Sequence, residues 1–185
     1  MAEYYLISQL PSLDGLNDNT PLPISQERFM DLCQRFLSKK AMAALEKLTP
    51  VPSRIPEDSG FQLIDSWNWG ERNLRLALAK LRAEKMGKNF HADAQTFSTE
   101  LLQAVRTAVD IESPMEAEKF LNRYRLEFLE TLRPTTPFNE EYLLYYGLKL
   151  KLIERIRLFD TASGEIAYQN IYNSIMNGDR SEVIQ

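Results

Sequence analysis

The sequence predicts an all-α fold, a helical bundle of about six helices arranged in one body or two lobes. Three observations point there: apolar residues recur at helical spacing along most of the chain, helix starts are signalled at Ser25 and Ser113, and proline or glycine separates the segments. Residues 4–10 form a short apolar run closed by Pro11, which reads as a short strand or a single buried turn. Asp14, Gly15, Asn17, Asp18, Asn19, Thr20, Pro21 and Pro23 then mark a loop. The first helix follows, with Ser25 as N-cap, Ile24 and Phe29 able to staple it, and Phe29, Leu32, Cys33, Phe36 and Leu37 as one apolar stripe.

Residues 39–48 give a shorter helix through Met42, Leu45 and Leu48. Pro50, Pro52 and Pro56 cannot continue it, so 51–60 is a connector between an N-terminal segment and helical hairpin, 1–50, and the main helical bundle, 61–185. Residues 61–85 read as one long helix with Leu63, Ile64, Trp67, Leu74, Leu78 and Leu81 apolar, Gly70 the place for a kink and Gly87 a left-handed C-terminal cap. Thr96, Ser98 or Thr99 can cap the next helix, which carries Leu101, Leu102, Val105 and Val109. Ser113-Pro114-Met115-Glu116 supplies an N-cap, a proline in the first turn and a capping box. The helix it opens reaches Arg133, striped by Ala117, Phe120, Leu121, Tyr124, Phe128 and Leu132, before Pro134 stops it.

Asn139 starts another helix, acidic at Glu140 and Glu141 and basic at Lys149, Lys151, Arg155 and Arg157, the order that the helix dipole favours. Residues 148–159 also alternate in part with period two, as a half-buried strand does, but the capped start and the length favour helix. A last helix is expected over 164–176 with Ile166, Ile171 and Ile175 apolar, ending at Asn177 and Gly178, with a fraying tail from Asp179.

The chain has 185 residues, 22 Lys+Arg against 26 Asp+Glu for a net charge of −4, and 44% apolar residues. That describes a folded, water-soluble domain and excludes a strongly basic nucleic-acid binder as the default. A single cysteine, Cys33, excludes an internal disulfide, and with the single His91 it leaves too few soft ligands for a zinc site. No Lys or Arg precedes Arg28, and the longest apolar run, 142–148, is far short of the ~20 residues of a membrane span. A cytoplasmic chain without a span or an export signal is the expectation.

The seven glycines are too dispersed for a phosphate loop or a dinucleotide fingerprint. Cys33 lies on an apolar stripe and reads as a buried thiol, His91 beside Asp93 as a surface side chain, and the pairs Glu57–Asp58 and Glu140–Glu141 as helix-start carboxylates. No catalytic, metal or cofactor-binding residue is assigned; catalysis would need a pocket bringing His91 to Tyr145 or Tyr146 and a carboxylate. Trp67 and Trp69, ~200° apart on a helix, cannot both face one core, so one of them is a candidate anchor for a partner. Residues 71–88 carry Arg72, Arg75, Lys80, Arg82, Lys85 and Lys88 against Glu71 and Glu84, a net +4 within a chain of −4. That suits a solvated face or docking on an acidic protein surface; RNA binding would need a stacking-aromatic motif.

The opening Glu3-Tyr4-Tyr5-Leu6-Ile7-Ser8-Gln9-Leu10-Pro11-Ser12-Leu13, the stretch Trp69-Gly70-Glu71-Arg72-Asn73-Leu74-Arg75 with Leu81-Arg82-Ala83, and the helix start Pro114-Met115-Glu116-Ala117-Glu118-Lys119 resemble a bacterial family. Its members are encoded among the subunits of V-type (A-type) ATP synthases. That family resembles a shortened form of the C-type connector, the helical funnel that seats the central stalk of these enzymes on the membrane rotor ring. Asn73-Leu74-Arg75 with Leu78 and Lys80 is similar to a helical pattern of that funnel, with Ala79 where the pattern carries arginine, and Glu154-Arg155-Ile156-Arg157 is similar to a segment near its end. At 185 residues the chain is too short for all three lobes of the funnel.

The resemblance implies a non-catalytic, cofactor-free subunit or accessory factor that touches central-stalk and rotor-ring subunits. It would sit in the cytoplasm, peripheral to the inner membrane through the complex. Trp69, Arg72, Asn73, Arg75, Arg82 and Lys85 form the expected partner-binding set. An unrelated α-helical adaptor that seats a partner helix on Trp67 or Trp69 is the alternative.

Overall fold

Five helix starts among the described residues are set by short polar side chains that take an otherwise orphaned backbone N–H. Ser25, Ser38, Ser98 and Ser113 each accept from the residue three positions on, and Asn139 Oδ1 accepts from the Tyr142 N–H at 2.9 Å. A computed structural model describes residues 2–16, 21–90, 97–136, 138–157, 169, 171 and 172. Among these residues the chain is all-helical and contains no strand. The helices are α1 Ala2–Gln9, α2 Gln26–Gln34, α3 Lys39–Lys47, α4 Gln62–Lys85, α5 Thr99–Asp110, α6 Pro114–Thr131 and α7 Glu140–Arg157.

Several expectations change in detail. The run at 4–10, expected as a strand or a buried turn, falls in helix α1 as far as Gln9. The helix buries Leu6 and leaves Tyr4 and Tyr5 exposed; so short an apolar run carries no period by which to tell strand from helix. The capping box at Ser113 closes on one side, the Glu116 carboxylate pairing with Lys119 at 3.0 Å. Helix α4 runs uninterrupted through Gly70. Gly87 caps it at φ +64°, with Lys88 N–H donating to Ala83 O and Gly87 N–H to Glu84 O, a Schellman arrangement. The period-two stretch is helical through Arg157. His91, Asn17 to Thr20 and, apart from Gln169, Ile171 and Tyr172, the expected helix at 164–176 with its tail lie outside the described residues.

The reason for the period-two ambiguity is the position of α7. It is the axis of the fold, packed by α2 and α3, by α4 and by α6, and every residue from Leu143 to Leu150 is buried. A helix buried all round shows no amphipathic stripe. At Gly147 an added Cβ would lie 2.7 Å from Leu45 Cδ1 and 3.0 Å from Phe29 Cε1, so the missing side chain is what lets α2 and α3 approach. Glu140 accepts from the backbone N–H and hydroxyl of Ser38 at the start of α3, and Lys151 donates to Leu48 O at its end.

Among the described residues two apolar clusters result. The larger joins Leu6, Phe29, Leu45, Trp67 and Leu129 to α7, so the segment before the connector and the helices after it share one core. The smaller holds Leu74, Ala77 and Leu78 of α4, Leu101, Val105 and Ala108 of α5, and Leu121 of α6. The long helices α4 and α6 run through both. Among the described residues no helix is long and apolar enough to cross a membrane.

Candidate functional site

The two tryptophans part as their spacing requires. Trp67 is fully buried, its ring stacked on Phe128 with centroids 6.0 Å apart, whereas Trp69 leaves 62% of its surface to solvent. Trp69 stands between two depressions. On one side a shallow groove of about 660 Å³ is lined by Phe61, Phe128 and Leu132, with Asp58 and Asp65 among its walls. On the other a cleft of about 100 Å³ reaches Gly70, Asn73, Leu101 and Tyr124. Phe128 lines both, held where Gly70 has no side chain.

The expected partner-binding residues are spread over different environments. Arg72 donates from Nε to Ser53 O (2.9 Å) and from Nη2 to Ile55 O (3.2 Å), fastening the proline connector to α4. Asn73 is buried, beneath the surface rather than on it. Arg75 donates to Glu71 at 2.9 Å. Lys85 donates to Val109 O and to the Asp110 carboxylate, tying the end of α4 to that of α5. Trp69 and Arg82 are exposed on α4.

Between the clusters lies a buried ionic junction. The Arg125 guanidinium, 5% exposed, donates from Nε and Nη2 to the two oxygens of Glu71, itself 2% exposed, and from Nη1 to Glu118 and Asn122. Arg155 reaches Glu118 at 3.2 Å; burial and then the neighbouring Arg125 charge pull its pKa down, and its buried Nη1 has no hydrogen-bond partner among the described residues. Two carboxylates face three guanidiniums there.

Tyr145 and Tyr146 line a cavity of about 180 Å³ below residues 10–14, together with Asp14 and Lys149. Tyr145 donates to Glu130, Tyr146 donates to Pro11 O, and the Lys149 ammonium bonds Asp14 and Glu130. Burial pushes both phenols up, helped at Tyr145 by the bond to Glu130. Burial pulls Lys149 down, but its bonds to Asp14 and Glu130 outweigh that and leave its pKa raised, while the Lys149 bond holds Asp14 below the usual carboxylate value. Phenols kept protonated and an ammonium kept charged make a latch, the opposite of an activated base or nucleophile. Burial likewise pushes the Cys33 thiol up to about 12. Among the described residues no group of His, Cys, Asp and Glu gathers to hold a metal ion.

Neither the floor residue Phe128 nor the wall carboxylates Asp58 and Asp65 figured as binding residues in the sequence. Phe128 reads there as one more core position of α6, and only the fold sets it beside Trp69. Comparison with family models, with curated proteins and with solved structures gives no match.

Proposed function

We propose that the chain is a non-catalytic subunit or accessory factor of a V-type ATP synthase, a short counterpart of the funnel-like C-type connector that joins the central stalk to the rotor ring and lies peripheral to the membrane through that complex. The family comes from the resemblance carried by residues 3–13, 69–83 and 114–119. The observation that carries a docking role is Trp69, a large aromatic side chain held out to solvent on a helix that both clusters grip. The 24-residue α4 is a rod of about 36 Å, and its ionic tie to α6 stiffens it as a transmitter of torque. Exposed Lys80, Arg82 and Lys88 near its C-terminal end favour an acidic partner surface, and a stable junction would cover roughly 1,600 Å² in all.

The test is to tag the full chain at its native level, solubilise membranes in mild detergent and identify proteins that co-purify near one-to-one. Stalk and ring subunits are expected, and their recovery falls in a Trp69→Ala/Arg82→Glu variant. These two positions are the clean choice, because reversing Arg72, Arg75 or Lys85 would also break bonds within the fold. Emergence of the chain alone, with the ATP synthase purifying intact without it, overturns the proposal. An unrelated helical adaptor is the second reading, favoured by the same tryptophan, and it would bring down a different partner.

A further inference from the structure

The groove beside Trp69 has a chemistry of its own. Its floor is aromatic and aliphatic, from Phe61, Phe128 and Leu132, and its charged lining residues are Asp58 and Asp65. No basic side chain lines it among the described residues. Lys40, whose Nζ lies 4.9 Å from the Phe61 centroid, is outside the lining and donates to Gly60 O. The carboxylates are oriented: Asp58 Oδ1 accepts from the Gly60 N–H at 2.8 Å and Asp65 Oδ1 from the Ser59 N–H at 2.9 Å. A carboxylate has a second oxygen, and among the described residues that of Asp58 and of Asp65 takes no hydrogen bond. Phe128 is wedged between Trp67 and Gly70, so the floor is formed before a partner arrives and little side-chain freedom remains to be lost.

We propose that this groove seats a basic amphipathic helix of a partner protein, its apolar stripe against Trp69, Phe128 and Phe61 and its Lys or Arg side chains on Asp58 and Asp65. The inference rests on the reading of the chain as an interaction module and adds the partner's chemistry. An apolar trough between α4 and α6 fits an i, i+3/i+4, i+7 stripe. Charge decides the sign. An acidic helix or an anionic lipid surface would bring negative charge against Asp58, Asp65 and the exposed Glu57, whereas a basic helix is steered in. The acidic region made by Glu57, Asp58 and Asp65 at the start of α4 thus takes a partner of opposite charge from the one suited to the basic end near Arg82.

The test uses the full chain and three probes: a synthetic amphipathic peptide with a leucine stripe and a lysine face, the same peptide with glutamate for lysine, and phosphatidylglycerol vesicles. The readout is acrylamide quenching of tryptophan fluorescence, which reports on Trp69 because Trp67 is buried. The lysine peptide is expected to shield Trp69, to lose affinity as salt rises, and to bind at least about tenfold more weakly to an Asp58→Asn/Asp65→Asn variant. Asparagine keeps the Oδ1 acceptor for Gly60 and Ser59, so that variant should melt as the parent does; Trp69→Phe removes the signal. Equal or tighter binding of the glutamate peptide, shielding by the vesicles, or no shielding by any probe overturns the proposal. If the lysine peptide fails while stalk and ring subunits still co-purify, the groove is wrong and the ATP synthase role stands. If it binds while those subunits are absent, the groove stands and the role falls.

Discussion

Gly70 sits within α4, where a glycine costs about 1 kcal/mol relative to alanine. A Cβ there would lie 2.3 Å from Cε1 and 2.4 Å from Cζ of Phe128, so the ring occupies the space that a side chain would need. Gly70→Ala is therefore expected to destabilise the chain by about 1 kcal/mol or more in urea unfolding, through overpacking against a ring already stacked on Trp67. With Phe128→Ala in place the sign reverses, and the alanine contributes its helix propensity of up to ~1 kcal/mol. Additivity of the two substitutions would rule this explanation out. A lone helical glycine reads in a sequence as a candidate kink, because the residue that makes it a contact point belongs to another helix. The divergence of Trp67 and Trp69 was legible, since it follows from the 100° step of a helix.

Elements are tied to one another here by buried charge as well as by apolar packing. Glu71 of α4 and Arg125 of α6 form a bidentate pair between the two clusters. Removing Glu71 leaves the Nε and Nη2 donors of Arg125 buried without their acceptor, while Nη1 keeps Glu118 and Asn122, so Glu71→Ala should cost about 3 kcal/mol of unfolding free energy. A Glu71→Met/Arg125→Met chain should lose less than Glu71→Ala does, because neither charge then needs desolvation, although Asn122 and Glu118 lose a donor. Equal losses in the single and double variants would show that something other than the orphaned charge is responsible. Position 71 falls between Trp67 and Leu74 along α4, and 125 between Leu121 and Phe128 along α6, but the sequence places Glu71 in a charged, solvated or docking face and does not single out Arg125, so the burial of neither is legible there. Nor is their pairing, because a stripe gives the face of one helix and says nothing of the facing residue on another. Along the sequence alone, Glu71 merely offsets a basic run.

For the molecule as a whole, α7 gathers what the other helices leave uncovered, and the N-terminal segment is held to it by Lys149 on Asp14 and by Tyr146 on Pro11 O. Asp14 titrates below its usual 3.8, so its contribution is present above that value and is lost as pH falls through the lower folded pKa. Lys149 titrates above 10.5, so its contribution is present below that value and is lost as pH rises through the higher folded pKa. The latch holds across the neutral range and weakens at both extremes. Hydrogen-exchange protection factors of α1 should fall below about pH 4 before those of α4 do, and Asp14→Asn should lower α1 protection at pH 7 while abolishing the acid step. A step unchanged by that substitution would place the acid-sensitive group elsewhere. All-helical architecture was legible from the caps and stripes, but the central place of α7 was not, since a helix buried on every face loses the amphipathic signal that identifies helices. The same placement imposes an order on synthesis. Partners of α7 at Pro11, Ser38 and Leu48 precede it by 102 to 135 positions, so α1, α2 and α3 emerge from the ribosome well before the helix they pack on. Helices α4, α5 and α6 can close their own cluster meanwhile, and the earliest-made part of the chain waits for one of the latest before it can join the fold.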